Sequence, residues 1–95
     1  MLFVIHCIDK PGVEAARAAA IQAHVAYLAT KPIKVMMSGP LTSDDGSRVV
    51  GSFFIVEAGD RAQVERFQAA DPLFLAGIWA TIDVRVFDKR VDNRD

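Results

Sequence analysis

Two segments of this 95-residue chain have the composition of strands that are apolar on both faces, Leu2–Ile8 and Val49–Glu57. The first alternates Leu2, Val4 and Ile8 on one side with Phe3, Ile5 and Cys7 on the other. Strands of this kind are typical of sheets that are covered on both sides. The chain must therefore place its sheet between two layers, and that requirement limits the folds open to it.

The order of the predicted elements indicates how the sheet is built. A helix from about Pro11 to Ala29 follows the first strand, and a short strand, Ile33–Met37, precedes the third. A second helix begins after Asp60, its expected N-cap, and a helical turn follows Pro72. Ile78–Phe87 forms the last strand, with Trp79 and Thr81 on one face. The order β-α-β-β-α-β predicts an α+β ferredoxin-like domain, with an antiparallel four-stranded sheet and two helices on one face. We expect one domain over residues 1–88 and a flexible charged tail over residues 89–95.

Two helices cover only one face of such a sheet. Hydrophobic residues make up 52% of the chain and charged residues 24%, which is much apolar surface for a small interior. The simplest cover for the second face is the same face of another copy. We therefore predict a homodimer formed through the sheet, as in a dimeric α+β barrel.

The first helix carries two polar side chains on the face expected to be buried. At helical spacing Val13, Ala16, Ala20, His24 and Tyr27 form one stripe, and Arg17 lies nearly in line with His24 two turns earlier. A buried histidine bonded to a nearby carbonyl oxygen is a common structural feature. A histidine that takes part in binding or catalysis is the alternative, and this stretch alone does not distinguish the two.

Composition bears on function and location. The net charge is −1 and there is no basic cluster, so we expect neither nucleic acid nor a membrane as a partner. His6, Cys7 and His24 lack the spacing of a zinc site, and no Gly-rich phosphate loop is present. Cys7 is the only cysteine and lies in an apolar run, which indicates a buried thiol in a reducing compartment. We expect a cytoplasmic protein.

Several polar residues have local interpretations. Asp9 before Pro11-Gly12 is expected to cap the first helix, and Asp71 before Pro72 has the pattern of an N-cap and first helical residue. Gly39-Pro40 reads as a turn or a close backbone approach at a strand end. Ser43–Ser47 is typical of a hairpin loop.

The chain resembles the YciI-like family of small dimeric α+β proteins over Met1 to about Phe87. The shared marks are Asp9-Lys10-Pro11-Gly12, Arg17, His24, Tyr27-Leu28, Gly39-Pro40-Leu41, Asp44-Asp45-Gly46, Gly51-Ser52, Glu57-Ala58, Asp71-Pro72 and Ala76-Gly77.

The resemblance implies a cavity holding a histidine and an aspartate as a proposed catalytic pair, at the positions of His24 and Asp71. It also implies proton transfer on small ring compounds without a cofactor. Arg17 would then anchor an anionic group, with Gly39 and Ser52 as further contacts of the cavity wall. For Gly39 and Ser52, turn formation and strand packing are the alternative interpretations. Ile21 stands where many members carry a second helix arginine.

Three hypotheses follow. The first is a cofactor-independent lyase or isomerase that uses a His24–Asp71 pair on a small molecule, for example an aromatic-derived one. The second is a small-molecule-binding or sensing dimer without turnover. The third is an interaction domain in which His24 is part of the core.

Overall fold

The computed structural model describes residues 1–94 and contains seven elements. They are β1 (Leu2–Asp9), α1 (Glu14–Ala29), β2 (Lys34–Thr42), β3 (Val49–Glu57), α2 (Arg61–Ala69), α3 (Pro72–Leu75) and β4 (Trp79–Phe87). The strands form one antiparallel sheet in the order β2-β3-β1-β4. The predicted ferredoxin-like α+β fold is confirmed.

The helices pack on one face of the sheet, where the core lies. On that face Phe3 pairs with Val56, Ile5 with Phe54, and Cys7 with Ser52. The helical side chains that complete the core include Val64, Phe67 and Leu73. Tyr27 links α1 to α2, because its ring stacks on Phe67 and its hydroxyl donates to the Phe67 carbonyl oxygen at 2.7 Å.

The other face of the sheet, the open face, is defined by Leu2, Val4, His6 and Ile8 of β1, Met37 of β2, Phe53 and Ile55 of β3, and Phe87 of β4. Ile8 is 39% exposed and Met37 47% exposed. No helix of the described chain covers this face. Residues 88–94 form neither helix nor strand. Residues 89 and 91–94, together with Leu2, Met37, Ile55 and Phe87 of this face, line a shallow pocket. Asp95, the last residue of the predicted tail, lies outside the described residues.

Two predicted boundaries differ from the structure. The first helix begins at Glu14, and Asp9 does not cap it: Val13 occupies the N-cap position without a side-chain hydrogen bond. The second strand extends to Thr42, through Gly39-Pro40. Pro40 is accommodated because β2 is an edge strand. An edge strand has a hydrogen-bonded neighbour on one side only, so the missing N–H of a proline is tolerated there.

Two predicted side-chain positions are also wrong. Ala16 is exposed, because Arg17 rather than Ala16 lies on the buried face of α1. Trp79 was predicted to share a face with Thr81, but a register shift where β4 pairs with Ile8 and Asp9 turns it into the core. Its ring stands edge-on to Phe54, with centroids 6.3 Å apart.

None of the helices found in residues 1–94 is long and apolar enough to cross a membrane.

Gly51 offers a test of the sheet packing. A Cβ at this position would overlap the Cys7 carbonyl oxygen, whereas a Cβ at Gly39 would meet nothing within 4 Å. We expect Gly51→Ala to lower the free energy of unfolding by about 1–3 kcal/mol, as overpacking does, and Gly39→Ala to leave it nearly unchanged. Urea denaturation measures both. Equal stability of the two variants would contradict this register.

Candidate functional site

A cavity of about 620 Å³ lies between α1 and the β2–β3 side of the sheet. One wall comes from α1, with Arg17, Ile21 and His24, and the opposite wall from the sheet, with Gly39 and Ser52. The volume lies in the range of small-molecule sites in proteins. Four of the five site residues expected from sequence thus line one cavity.

The fifth, Asp71, is not among the lining side chains but bonds His24. Its two carboxylate oxygens lie 2.8 and 3.0 Å from His24 Nδ1. Asp71 is 1% exposed, and it also accepts a hydrogen bond from the Leu73 N–H at 2.9 Å as the N-cap of α3. The predicted cap is therefore confirmed, and the same carboxylate orients the histidine.

This contact determines which nitrogen of His24 carries hydrogen. An ionised carboxylate only accepts hydrogen bonds, so Nδ1–H is the donor and the neutral ring keeps its lone pair on Nε2. Within residues 1–94, Nε2 has no hydrogen-bond partner. The ring is further fixed by Phe54, which it meets edge-on at a centroid distance of 6.1 Å.

Arg17 is buried and has several partners. Nη1 donates to both oxygens of Asp9, at 2.8 and 2.9 Å. Nη2 donates to Ser52 Oγ at 2.9 Å and to the Gly51 carbonyl oxygen at 3.3 Å. Asp9 therefore balances the charge of Arg17, and Ser52 has a polar contact in addition to its place in the strand.

Asp9 is the site residue that sequence reasoning assigned to another role. An aspartate before Pro-Gly at a helix start is a common capping pattern, so the sequence indicated a cap and not the ion pair with Arg17. The available signal was Arg17 itself, since a cation on a buried helix face needs a carboxylate partner.

The remaining wall is largely apolar. Val13, Ile21 and Leu28 contribute aliphatic surface, with Phe54 on the sheet side. Ile21 stands where many proteins of the resembled family carry an arginine. It is half-buried and adds no charge to this wall.

Cys7 lies beneath the site but is not suited to act as a nucleophile. Burial, together with the negative charges of Asp71 and Asp9, raises the pKa of its thiol to about 12. The thiol stays protonated at neutral pH. Within residues 1–94 no group of three or more His, Cys, Asp or Glu side chains is arranged to hold a metal ion.

Asp71 has a matched control in Asp60, which caps α2 by accepting from the Gln63 N–H at 2.9 Å but contacts no histidine. Asp60→Ala should lower the free energy of unfolding by about 1 kcal/mol, the usual effect of a lost cap. Asp71→Ala should cost about 1–3 kcal/mol more, because it also leaves buried His24 without its partner. Asp71→Asn keeps the cap and should fall between wild type and Asp71→Ala. Chemical denaturation provides the measurement, and an equal loss for Asp71→Ala and Asp60→Ala would show that the His24 contact contributes nothing to stability.

Comparison with known proteins identifies structures with the same fold. The structure is similar to 5-chloro-2-hydroxyhydroquinone dehydrochlorinase (TftG) from Burkholderia phenoliruptrix AC1100, solved in complex with 2,5-dihydroxybenzoquinone. The sequence identity is 35%, the TM-score is 0.84, and the match covers 93% of this chain and 94% of that one.

Two further structures share the fold at lower identity. Rv0793 from Mycobacterium tuberculosis is 10% identical with a TM-score of 0.54, over 98% of this chain and 97% of that one. An antibiotic biosynthesis monooxygenase is 17% identical with a TM-score of 0.58, over 96% of this chain and all of that one. No match is found among curated protein sequences.

The model of the YCII-related domain matches residues 1–88. The resemblance inferred from the motifs is confirmed, and the chain belongs to the YCII-related domain family.

Proposed function

We propose that this protein is a cofactor-independent lyase or isomerase that transfers a proton on a small ring compound. The observation that carries the proposal is the position of His24. Its ring lines the cavity, and its Nδ1 is held by the buried carboxylate of Asp71. A general base needs a free lone pair, a fixed orientation and a partner that stabilises its protonated form. His24 meets all three requirements.

The proposed roles follow from the contacts. His24 Nε2 takes the proton from the substrate and later returns it to substrate or solvent. Asp71 holds the ring in one tautomer and stabilises the imidazolium that forms. Both residues act without a metal or an organic cofactor.

Arg17, on the same helix wall as His24, and Ser52 and Gly39, on the opposite sheet wall, are proposed to contact the substrate. Arg17 is oriented by Asp9 and Ser52, and its Nε–H is the donor of the guanidinium that has no partner within residues 1–94. Gly39 presents no side chain, so a flat ring can approach the backbone of β2 there.

The similarity to TftG supports the substrate class. That protein is named as a dehydrochlorinase of a chlorinated hydroxyhydroquinone, and its structure was solved with a hydroxyquinone. In a dehydrochlorination a base removes a proton, the C–H or O–H electron pair moves into the ring, and chloride leaves with the electrons of the C–Cl bond. A single oriented histidine is sufficient for the proton-transfer part of that reaction.

The test compares His24→Gln with His6→Gln, since His6 lies on the open face, outside the cavity. With 5-chloro-2-hydroxyhydroquinone as the trial substrate, chloride release and deuterium exchange from solvent report turnover. His24→Gln should lower the rate about 10²–10⁴-fold, the usual contribution of general base catalysis, and His6→Gln should leave it unchanged. Asp71→Asn should give an intermediate loss.

The alternative is a ligand-binding or sensing dimer. Binding of hydroxyquinones by wild type and His24→Gln alike, with neither chloride release nor exchange, would contradict the enzyme proposal and favour that alternative.

We further propose that the protein forms a homodimer through the open face and resides in the cytoplasm. The exposed apolar side chains of that face, such as Ile8 and Met37, support the first proposal. The single buried cysteine supports the second.

The dimer proposal can be tested by sedimentation at micromolar concentration. The 10.4 kDa chain should sediment as a dimer, and Ile55→Lys on the open face should make it monomeric because a buried unpaired charge opposes association. Leu75→Lys is the control, since Leu75 is 70% exposed on α3. A monomeric wild-type protein would contradict the proposal.

A further inference from the structure

Five charged side chains line the cavity: Asp9, Lys10, Glu14, Arg17 and Arg48. Arg17 and Asp9 form an ion pair, whereas Arg48 and Lys10 form no ion pair with any described residue of the chain.

The sum of these charges is positive. Arg17 cancels Asp9 through their direct contact, and the charges of Lys10 and Glu14 offset each other at the level of net charge. Arg48 leaves one positive charge over, although the chain as a whole carries −1. The carboxylate of Asp71, directly behind His24, offsets this charge, so the cavity as a whole is close to neutral and its attraction for a small anion is local to the guanidinium of Arg48.

The β2–β3 hairpin fixes the backbone of Arg48, and its exposed side chain lines the cavity. The Ser43 N–H donates to the Arg48 carbonyl oxygen at 2.9 Å, and the Arg48 N–H donates to Ser43 Oγ at 3.2 Å. Asp45 organises the turn by accepting from Ser43 Oγ, the Ser47 N–H and Ser47 Oγ, at 2.7, 3.0 and 2.8 Å. These hydrogen bonds lower the pKa of the Asp45 carboxyl to about 2, so the turn keeps its charge throughout the neutral range.

We propose that Arg48 is the specificity-determining residue of the cavity and that the ligand is a small ring compound with an ionised hydroxyl or carboxylate group. The inference rests on the proposed function and narrows its substrate class to anions. A guanidinium forms paired, charge-assisted hydrogen bonds with two oxygens in one plane, such as those of a carboxylate or of neighbouring ring oxygens. Because Arg17 is already neutralised by Asp9, Arg48 rather than Arg17 distinguishes an anionic ring from a neutral ring.

The test is calorimetric titration with two probes that differ in charge. In 2,5-dihydroxybenzoquinone the hydroxyls are vinylogous acids and ionise at neutral pH, whereas its dimethyl ether is neutral. We expect wild type to prefer the anion and Arg48→Gln to weaken anion binding about tenfold, with little effect on the ether. Arg48→Lys should recover part of the loss, because it keeps the charge but not the planar fork.

Arg66→Gln is the matched control, because it makes the same change in net charge at an exposed α2 position outside the cavity. It should leave binding of both probes within twofold of wild type. A loss below fivefold for Arg48→Gln, an equal loss for Arg66→Gln, or no binding of the anion by wild type would overturn the proposal.

Binding is measured without turnover, so this outcome is separate from the fate of the proposed function. If His24→Gln abolishes chloride release while Arg48→Gln binds like wild type, the enzyme proposal stands and the role of Arg48 fails. If the anion binds through Arg48 but no turnover is found, the reverse holds.

Discussion

Helix α1 packs on the sheet through two polar side chains, and each needs a carboxylate to be buried there. Arg17 and His24 lie seven residues apart on the buried face, about two helical turns. Burying a charge without a partner costs several kcal/mol, and burying an unpaired ring N–H costs about 1–3 kcal/mol. Asp9 at the end of β1 and Asp71 before α3 provide the partners.

The same contacts determine where the helix lies. Because Arg17 reaches Asp9, Gly51 and Ser52, its end of α1 is held near β1 and β3. His24 and Asp71 hold the next turns against α3. The cavity occupies the space between these attachments and the β2 edge, lined by aliphatic side chains of α1 such as Ile21. A polar network that stabilises the helix thus forms one wall of the site.

The two carboxylates serve different purposes. Asp71 lies behind His24, outside the cavity lining, and its contact selects the tautomer that leaves Nε2 unprotonated. Asp9 lies in the cavity wall and cancels the charge of Arg17. The interior of the site is therefore close to neutral, and an unpaired positive charge remains at Arg48 on the hairpin. In the proposed function, this separation of His24 from Arg48 suits a substrate that is charged at one end and reacts at the other.

Much of this arrangement could be predicted from local patterns. Periodicity predicted every strand and helix, because two-sided apolar strands and an amphipathic helix leave strong local signals. Asp60 and Asp71 were predicted as caps, and both accept the expected backbone hydrogen bond, since capping depends on residues two or three positions away. The turn of Trp79 into the core was missed, because the register shift that causes it depends on the pairing of β4 with β1.

The site itself required tertiary structure or family resemblance. His24 and Asp71 are 47 residues apart, and no local spacing relates them; the family motif linked them before the geometry did. Asp9 was misread because one aspartate satisfies either a cap or an ion pair, and only the packing of α1 decides between them. Local sequence patterns specified the elements, their order and the caps of α2 and α3, which are short-range properties of the chain. The fold decided which charges cancel and which remain at the cavity, because electrostatic pairing depends on distances that only the packed structure establishes.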